Sequence, residues 1–151
     1  MNQVAENRAI TRALNILESR IAYDPTALEF SSPDDSQAYF RLKLGEKKRE
    51  VFSCLFLNAA SRFLAYEELF AGTVDSASVY PRVIAAKALE LNAVSVILAH
   101  NHPSGGSEPS RADIDITLKI RDALGLFDIR TLDHIIVGAR GCVSLAEEGQ
   151  I

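Results

Sequence analysis

The sequence predicts an α/β protein, a mixed β-sheet flanked by helices. The run "AVSVILA", Ala93–Ala99, is short, uninterrupted and rich in β-branched residues, which suits a central strand covered on both faces. Segments of helical period lie on either side of it. The overall order is helix, strands, helix, strand, helix, strands, which calls for a layered arrangement around one sheet. The 151 residues are enough for one domain with its own core, and no internal repeat is present.

The first helix is expected over residues 3–21, where Val4, Ile10, Leu14, Leu17 and Ile21 recur at helical spacing. "YDPTALEFSSPDDS", Tyr23–Ser36, carries Pro25 and Pro33 and reads as a linker, with a short helix from about Asp35. It is the one internal boundary, dividing a helix and linker, 1–28, from a domain over 29–151. "VFSCLFL", Val51–Leu57, is a buried strand. "RFLAYEELF", Arg62–Phe70, follows it as a second strand after a turn near Asn58–Ser61. The next helix runs through "SASVYPRVIAAKALELN". Pro81 suits the first turn of its main body, and Val83, Ile84, Ala88 and Leu91 form its apolar face. After the central strand comes a Pro/Gly/Ser loop from Pro103 to Pro109. A helix follows from Ser110 to about Leu124, with Ile116, Ile120, Ala123 and Leu124 on one side. "HIIVGARGCVSLA", His134–Ala146, gives two strands around a turn at Gly138–Gly141.

Composition excludes several classes. An apolar share of 48% with 24% charged residues is that of a globular chain. The net charge of -4 disfavours a broadly basic nucleic-acid surface, and "EKKRE", Glu46–Glu50, is the one dense basic cluster. No stretch approaches the ~18 apolar residues of a membrane span, and the N-terminus lacks the apolar core of a signal peptide. Cys54 and Cys142 lie far apart, with Cys54 expected as a buried thiol, so a reducing, cytoplasmic location is expected.

The chemistry-bearing stretch is "LAHNHPSGGSEPSRAD", Leu98–Asp113, which holds two of the three histidines of the chain. Side chains two apart on a strand point the same way, so His100 and His102 can reach one ion while Asn101 faces away. Asp113 is the candidate third ligand. Two imidazoles and a carboxylate suit zinc, and three protein ligands leave a position for water, as in a catalytic site. A second reading stays open on spacing alone: Ser110 and Asp113 cap the helix, and the histidines are hydrogen-bonded loop residues. The candidate bases are Glu50, at the mouth of the first strand, and the pair Glu67–Glu68. A solvated edge of the "EKKRE" run competes for Glu50. Asp133 and Glu67 are the candidate carboxylates for supporting a ligand histidine, and His134 reads as a satisfied structural histidine.

The segment from Glu50 to Asp113 resembles the JAB/MPN (JAMM) metallopeptidase domain, and its RadC branch in particular. The pattern His-x-His-Pro, six residues, Ser, two residues, Asp is present as His100, His102, Pro103, Ser110 and Asp113. "LAHNHPSG", "SRADIDIT", "ELFAGTVDSASVYPR" and "LDHIIVG" are similar to RadC sequence, and the likeness covers roughly residues 30–150.

That resemblance implies a JAB/MPN-like mixed sheet with cytidine-deaminase-like layering. It implies Zn2+ on His100, His102 and Asp113, Glu50 as general base, and Ser110 as oxyanion support. The implied activity is zinc-dependent hydrolysis of a peptide or isopeptide bond in a protein or peptide substrate. The competing readings are a non-catalytic protein-interaction module, a DNA-associated RadC-like protein and a zinc nuclease. Zinc deaminase and zincin motifs are absent. Many RadC proteins carry an N-terminal helix-hairpin-helix region, for which this chain is expected to have no room. Where the family has Pro-Arg-Glu, it has Pro81-Arg82-Val83. A two-fold homodimer is the base-rate expectation for assembly.

Overall fold

The computed structural model describes residues 2–23, 28–72 and 79–151. The side chain of Ile21, the linker residues 24–27 and the expected helix start at Ser76 lie outside the described residues. Among the described residues nine elements follow in chain order: α1 (Gln3–Tyr23), α2 (Pro33–Leu44), β1 (Val51–Leu57), β2 (Phe63–Ala71), α3 (Pro81–Glu90), β3 (Ser95–Asn101), α4 (Arg111–Gly125), β4 (Arg130–Val137) and β5 (Cys142–Ser144).

One five-stranded sheet has the order β2-β1-β3-β4-β5. β1 runs antiparallel to β2 and to β3, β3 runs parallel to β4, and β5 returns antiparallel on β4. The parallel pair needs a crossover, and α4 supplies it. The mixed α/β sheet flanked by helices is therefore present as expected.

Period-2 alternation sorts the core into two layers. Phe52, Cys54, Phe56, Val96 and Leu98 face α3 and α4, where they meet Ile84, Ala88, Ile116, Ile120 and Leu124. Val51, Leu55, Leu57, Ile97 and Ala99 face the other way, against Tyr39, Phe40 and Leu44 of α2. Every residue of β1 and of β3 is buried, as strands covered on both faces must be.

Three boundaries and one helix face differ from expectation. α2 begins at Pro33, because Ser32 caps it: the Ser32 side chain accepts the Asp35 N–H while Asp35 Oδ2 accepts the Ser32 N–H. Pro33 thus starts a helix, where its missing N–H costs nothing, instead of marking a linker. β3 extends to Asn101, so His100 is a strand residue. β4 begins at Arg130, ahead of the apolar run, because its first residues pair with Ser95 and Val96. In α3 the buried residues are Ile84, Ala85 and Ala88, whereas Val83 is turned out and 38% exposed. The two cysteines are free, with Cys54 fully buried.

Candidate metal centre

The alternation that builds the core also builds the site. His100 has the parity of Val96 and Leu98, so it lies on the α4 face at the C-terminal end of β3. Ser110 caps α4 directly over that strand end. Its side chain accepts the Asp113 N–H at 3.1 Å, and Asp113 Oδ2 accepts the Ser110 N–H at 2.7 Å. Asp serves in the reciprocal cap where Glu or Gln is usual. The cap leaves Asp113 Oδ1 facing His100 Nε2 at 3.0 Å, and Asp113 Oδ2 lies 3.5 Å from His102 Nε2. The two Nε2 atoms are 2.9 Å apart.

Capping and metal-binding geometry therefore coexist in one residue. A ligand atom from each of His100, His102 and Asp113 lies within 4.8 Å of the other two, and His100 and Asp113 are buried. His102 Nδ1 meets the Gly106 carbonyl at 3.0 Å. A carbonyl only accepts, so His102 carries its proton on Nδ1 and turns an Nε2 lone pair toward the cluster. Two imidazole nitrogens and a carboxylate converging in this way form a donor set able to hold a metal ion. Burial alone would push the Asp113 carboxyl up. Contact with His100, together with the Ser110 backbone and side chain, outweighs it and holds the carboxyl well below the usual carboxylate range.

Glu50 precedes β1 and is half-buried. β1 and β3 pair Phe52 with His100, so extending that antiparallel register by two residues sets Glu50 across from His102. Asn101 holds this end of the sheet together from the opposite face. Its Oδ1 accepts the Val51 N–H at 2.7 Å, and its Nδ2 donates to the carbonyls of Lys47 and Arg49. Glu50, His100, His102, Ser110 and Asp113 line one concavity of about 530 Å³ with the loop from Pro103 to Gly106. The other candidate bases sit on the edge strand β2, one strand further out. There Glu67 pairs with Lys87 at 3.4 Å and Glu68 with Lys47 at 3.0 Å.

The support of the ligand histidines differs from expectation. Neither Asp133 nor Glu67 touches a ring nitrogen of His100 or His102. Asp133 lies next to Ile97 in the register, on the α2 face of the sheet. Its Oδ1 accepts the N–H groups of His134 and Ala146, and its Oδ2 accepts the Ser144 hydroxyl. The residue behind His100 is His134, fully buried on β4, whose Nε2 is 2.8 Å from His100 Nδ1. Thr117 Oγ1 in turn meets His134 Nδ1 and the Asp113 carbonyl. His134 is thus a satisfied histidine, but what satisfies it is the candidate ligand His100 on a neighbouring strand. Its lone position 32 residues beyond His102 gave no local signal of that contact.

The loop carrying His102 is bound to the β4–β5 turn. The His102 N–H donates to Val137 and the Ala139 N–H to Gly105. Gly138 makes this approach feasible, since a Cβ there would fall 2.5 Å from Ser107 N and 2.8 Å from the Gly106 carbonyl carbon.

Comparison with known proteins gives a consistent picture. A family model described as "RadC-like JAB domain" matches residues 30–150. A "UPF0758 protein" of Cellvibrio japonicus is 56% identical over 119 residues, which is 79% of this chain and 53% of that protein. A "UPF0758 protein" of Vibrio cholerae is 48% identical over 144 residues, covering 95% of this chain and 89% of its own. A third, from Leptothrix cholodnii, is 50% identical over 137 residues, with 91% and 60% covered. The chain thus spans about half of the first relative's length and most of the second's.

Proposed function

The chain belongs to the RadC-like JAB family, and from that membership together with the His100–His102–Asp113 cluster we propose that it is a zinc-dependent hydrolase, a metallopeptidase or isopeptidase. The observation that carries the reading is the convergence of two imidazole nitrogens and a carboxylate at one wall of an open concavity.

Zinc, when bound, supplies Lewis acidity: it acidifies a water and draws electron density from an amide carbonyl. His100, His102 and Asp113 would hold it. The Glu50 carboxylate takes a proton from the attacking water and hands it to the departing amine. Ser110 Oγ already accepts the Asp113 N–H, so its own hydrogen is left to donate to the oxygen on which charge develops. The half-buried Glu50 and exposed Ser110 open on the same concavity, which supports their acting on one substrate group. The substrate is a protein or peptide. The catalytic unit is residues 29–151, and residues 1–28 are an N-terminal helix and linker that precede it. No helix among the described residues is long and apolar enough to cross a membrane. With both cysteines free, we assign the chain to the cytoplasm.

The test is zinc content of untagged protein beside His100→Ala and Asp113→Ala, followed by peptide and isopeptide libraries with Glu50→Gln as control. One zinc per chain, lost in both ligand variants, is expected. Turnover should vanish in Glu50→Gln while zinc stays. A folded wild-type chain that takes up no zinc overturns the hydrolase. Zinc retained without turnover on any amide would turn the reading to an interaction module.

A further inference from the structure

We propose that Thr117 and His134 are positioning residues that lock His100 into the tautomer whose Nε2 lone pair faces the cluster. The inference rests on the metal reading of that cluster and adds two residues beyond the His-x-His-Pro, Ser-x-x-Asp pattern.

Three contacts form a chain. His100 Nδ1 is 2.8 Å from His134 Nε2. His134 Nδ1 is 2.5 Å from Thr117 Oγ1, and Thr117 Oγ1 is 2.5 Å from the Asp113 carbonyl oxygen. The chain ends on a group that can only accept. Two oxygens so close need a hydrogen between them, so the Thr117 hydroxyl donates to Asp113. Its one hydrogen is then used, and it must accept from His134 Nδ1–H. A neutral imidazole has a single N–H, so His134 Nε2 is a lone pair and His100 Nδ1–H donates to it. In the neutral ring that a metal ligand must be, His100 Nε2 is then the lone pair, facing Asp113 Oδ1 and His102 Nε2.

The environment keeps His134 in the neutral form that this sequence of donors requires. Its imidazole is fully buried with both ring nitrogens partnered, by Thr117 and by His100, and burial disfavours a charged ring. Phe52 packs edge-on against the His134 ring and stacks over that of His100. A neutral imidazole also makes His100 less basic than a carboxylate partner would. No ring changes protonation state in this device. What is fixed is the direction in which three hydrogen bonds point.

The opposite direction is the competitor. With Thr117 donating to His134 Nδ1, His134 Nε2–H would donate to His100 Nδ1. His100 Nε2–H would then bond Asp113 Oδ1, tying two ligands to each other. Only the Asp113 carbonyl stands against that reversal. Thr117→Val removes the hydroxyl at nearly constant volume and should release it, whereas Thr117→Ser keeps the hydroxyl.

Two readouts test this. Long-range proton–nitrogen NMR of metal-free wild-type protein should show His100 with its hydrogen on Nδ1, and Thr117→Val should move a measurable fraction to Nε2. Zinc affinity, read by competition with a chromophoric chelator, should fall about 10- to 100-fold in Thr117→Val and be restored in Thr117→Ser. The proposal is overturned if wild-type His100 carries its hydrogen on Nε2, or if folded Thr117→Val holds zinc as tightly as wild type. A wild-type chain with the Nδ1–H tautomer that takes up no zinc would sink the metal reading and leave the relay standing.

Discussion

Asn101 accepts the Val51 N–H at 2.7 Å and so ties the end of β3, between the two ligand histidines, to the start of β1, one residue after Glu50. The same side chain donates to the carbonyls of Lys47 and Arg49. One buried amide thus joins the strand end that carries His100 to the segment that carries Glu50.

Asn101→Ala should lower stability by about 1–3 kcal/mol, because the Val51 N–H loses its partner in a buried strand. Zinc content should survive, since His100 and His102 face the other way. Turnover should fall well beyond what the stability loss explains, because Glu50 loses its anchor. Urea unfolding beside zinc content and turnover would show this. Unchanged turnover in a folded variant would remove Asn101 from the positioning of Glu50.

Gly138→Ala should reach the metal site although residue 138 is no ligand. Its Cβ would overlap the Gly106–Ser107 backbone, and Gly106 supplies the carbonyl that orients His102. A cost of about 1–3 kcal/mol is expected for such overpacking, together with weaker zinc binding. Gly141→Ala is the control, since nothing lies within 4 Å of a Cβ there. Equal melting temperatures and zinc affinities for the two variants would contradict the close approach.

Substitution of Asp113 separates its two roles. Asp113→Asn keeps an oxygen able to accept the Ser110 N–H and should leave α4 capped, yet it removes the charged ligand and should release zinc. Asp113→Ala should lose the metal and also about 1 kcal/mol of helix capping. Circular dichroism melts of the two metal-free variants, read beside zinc content, check the difference. If Asp113→Asn holds zinc like wild type, Asp113 only caps.

The buried imidazole predicts an acid-side loss of stability in the metal-free protein. His134 stays neutral in the fold, while the unfolded chain protonates it below about pH 6.5. The unfolded state therefore binds more protons there, and stability falls as pH drops, by up to about 1.4 kcal/mol per pH unit for one group. Asp113 is held below its usual range, so its contribution is complete above about pH 3.9 and is lost only as pH falls further. Urea midpoints at pH 7.5, 6 and 5 should decline, and less steeply in His134→Asn. A flat profile over that interval would mean that His134 protonates inside the fold.

The parts of the site that the sequence determined are those governed by local geometry. Period-2 alternation puts His100 and His102 on one face and Asn101 on the other, whatever the strand pairs with. The three-residue spacing of Ser110 and Asp113 is a first-turn cap in any helix. The core layers are similarly local, since Phe52, Cys54 and Phe56 alternate with Ser53 and Leu55. Tertiary structure decided what no local rule encodes. Glu50 comes to line the same concavity as His102 because β1 pairs antiparallel with β3. His134, which local pattern marks only as the start of an apolar run, reaches His100 because the α4 crossover sets β4 parallel to β3. Asp133, the better candidate on chemistry, is turned to the other face by the same alternation. Pairing register depends on how the whole sheet packs against its helices, and that cooperative choice made His134 the partner of His100 and Gly138 the seat of the ligand loop.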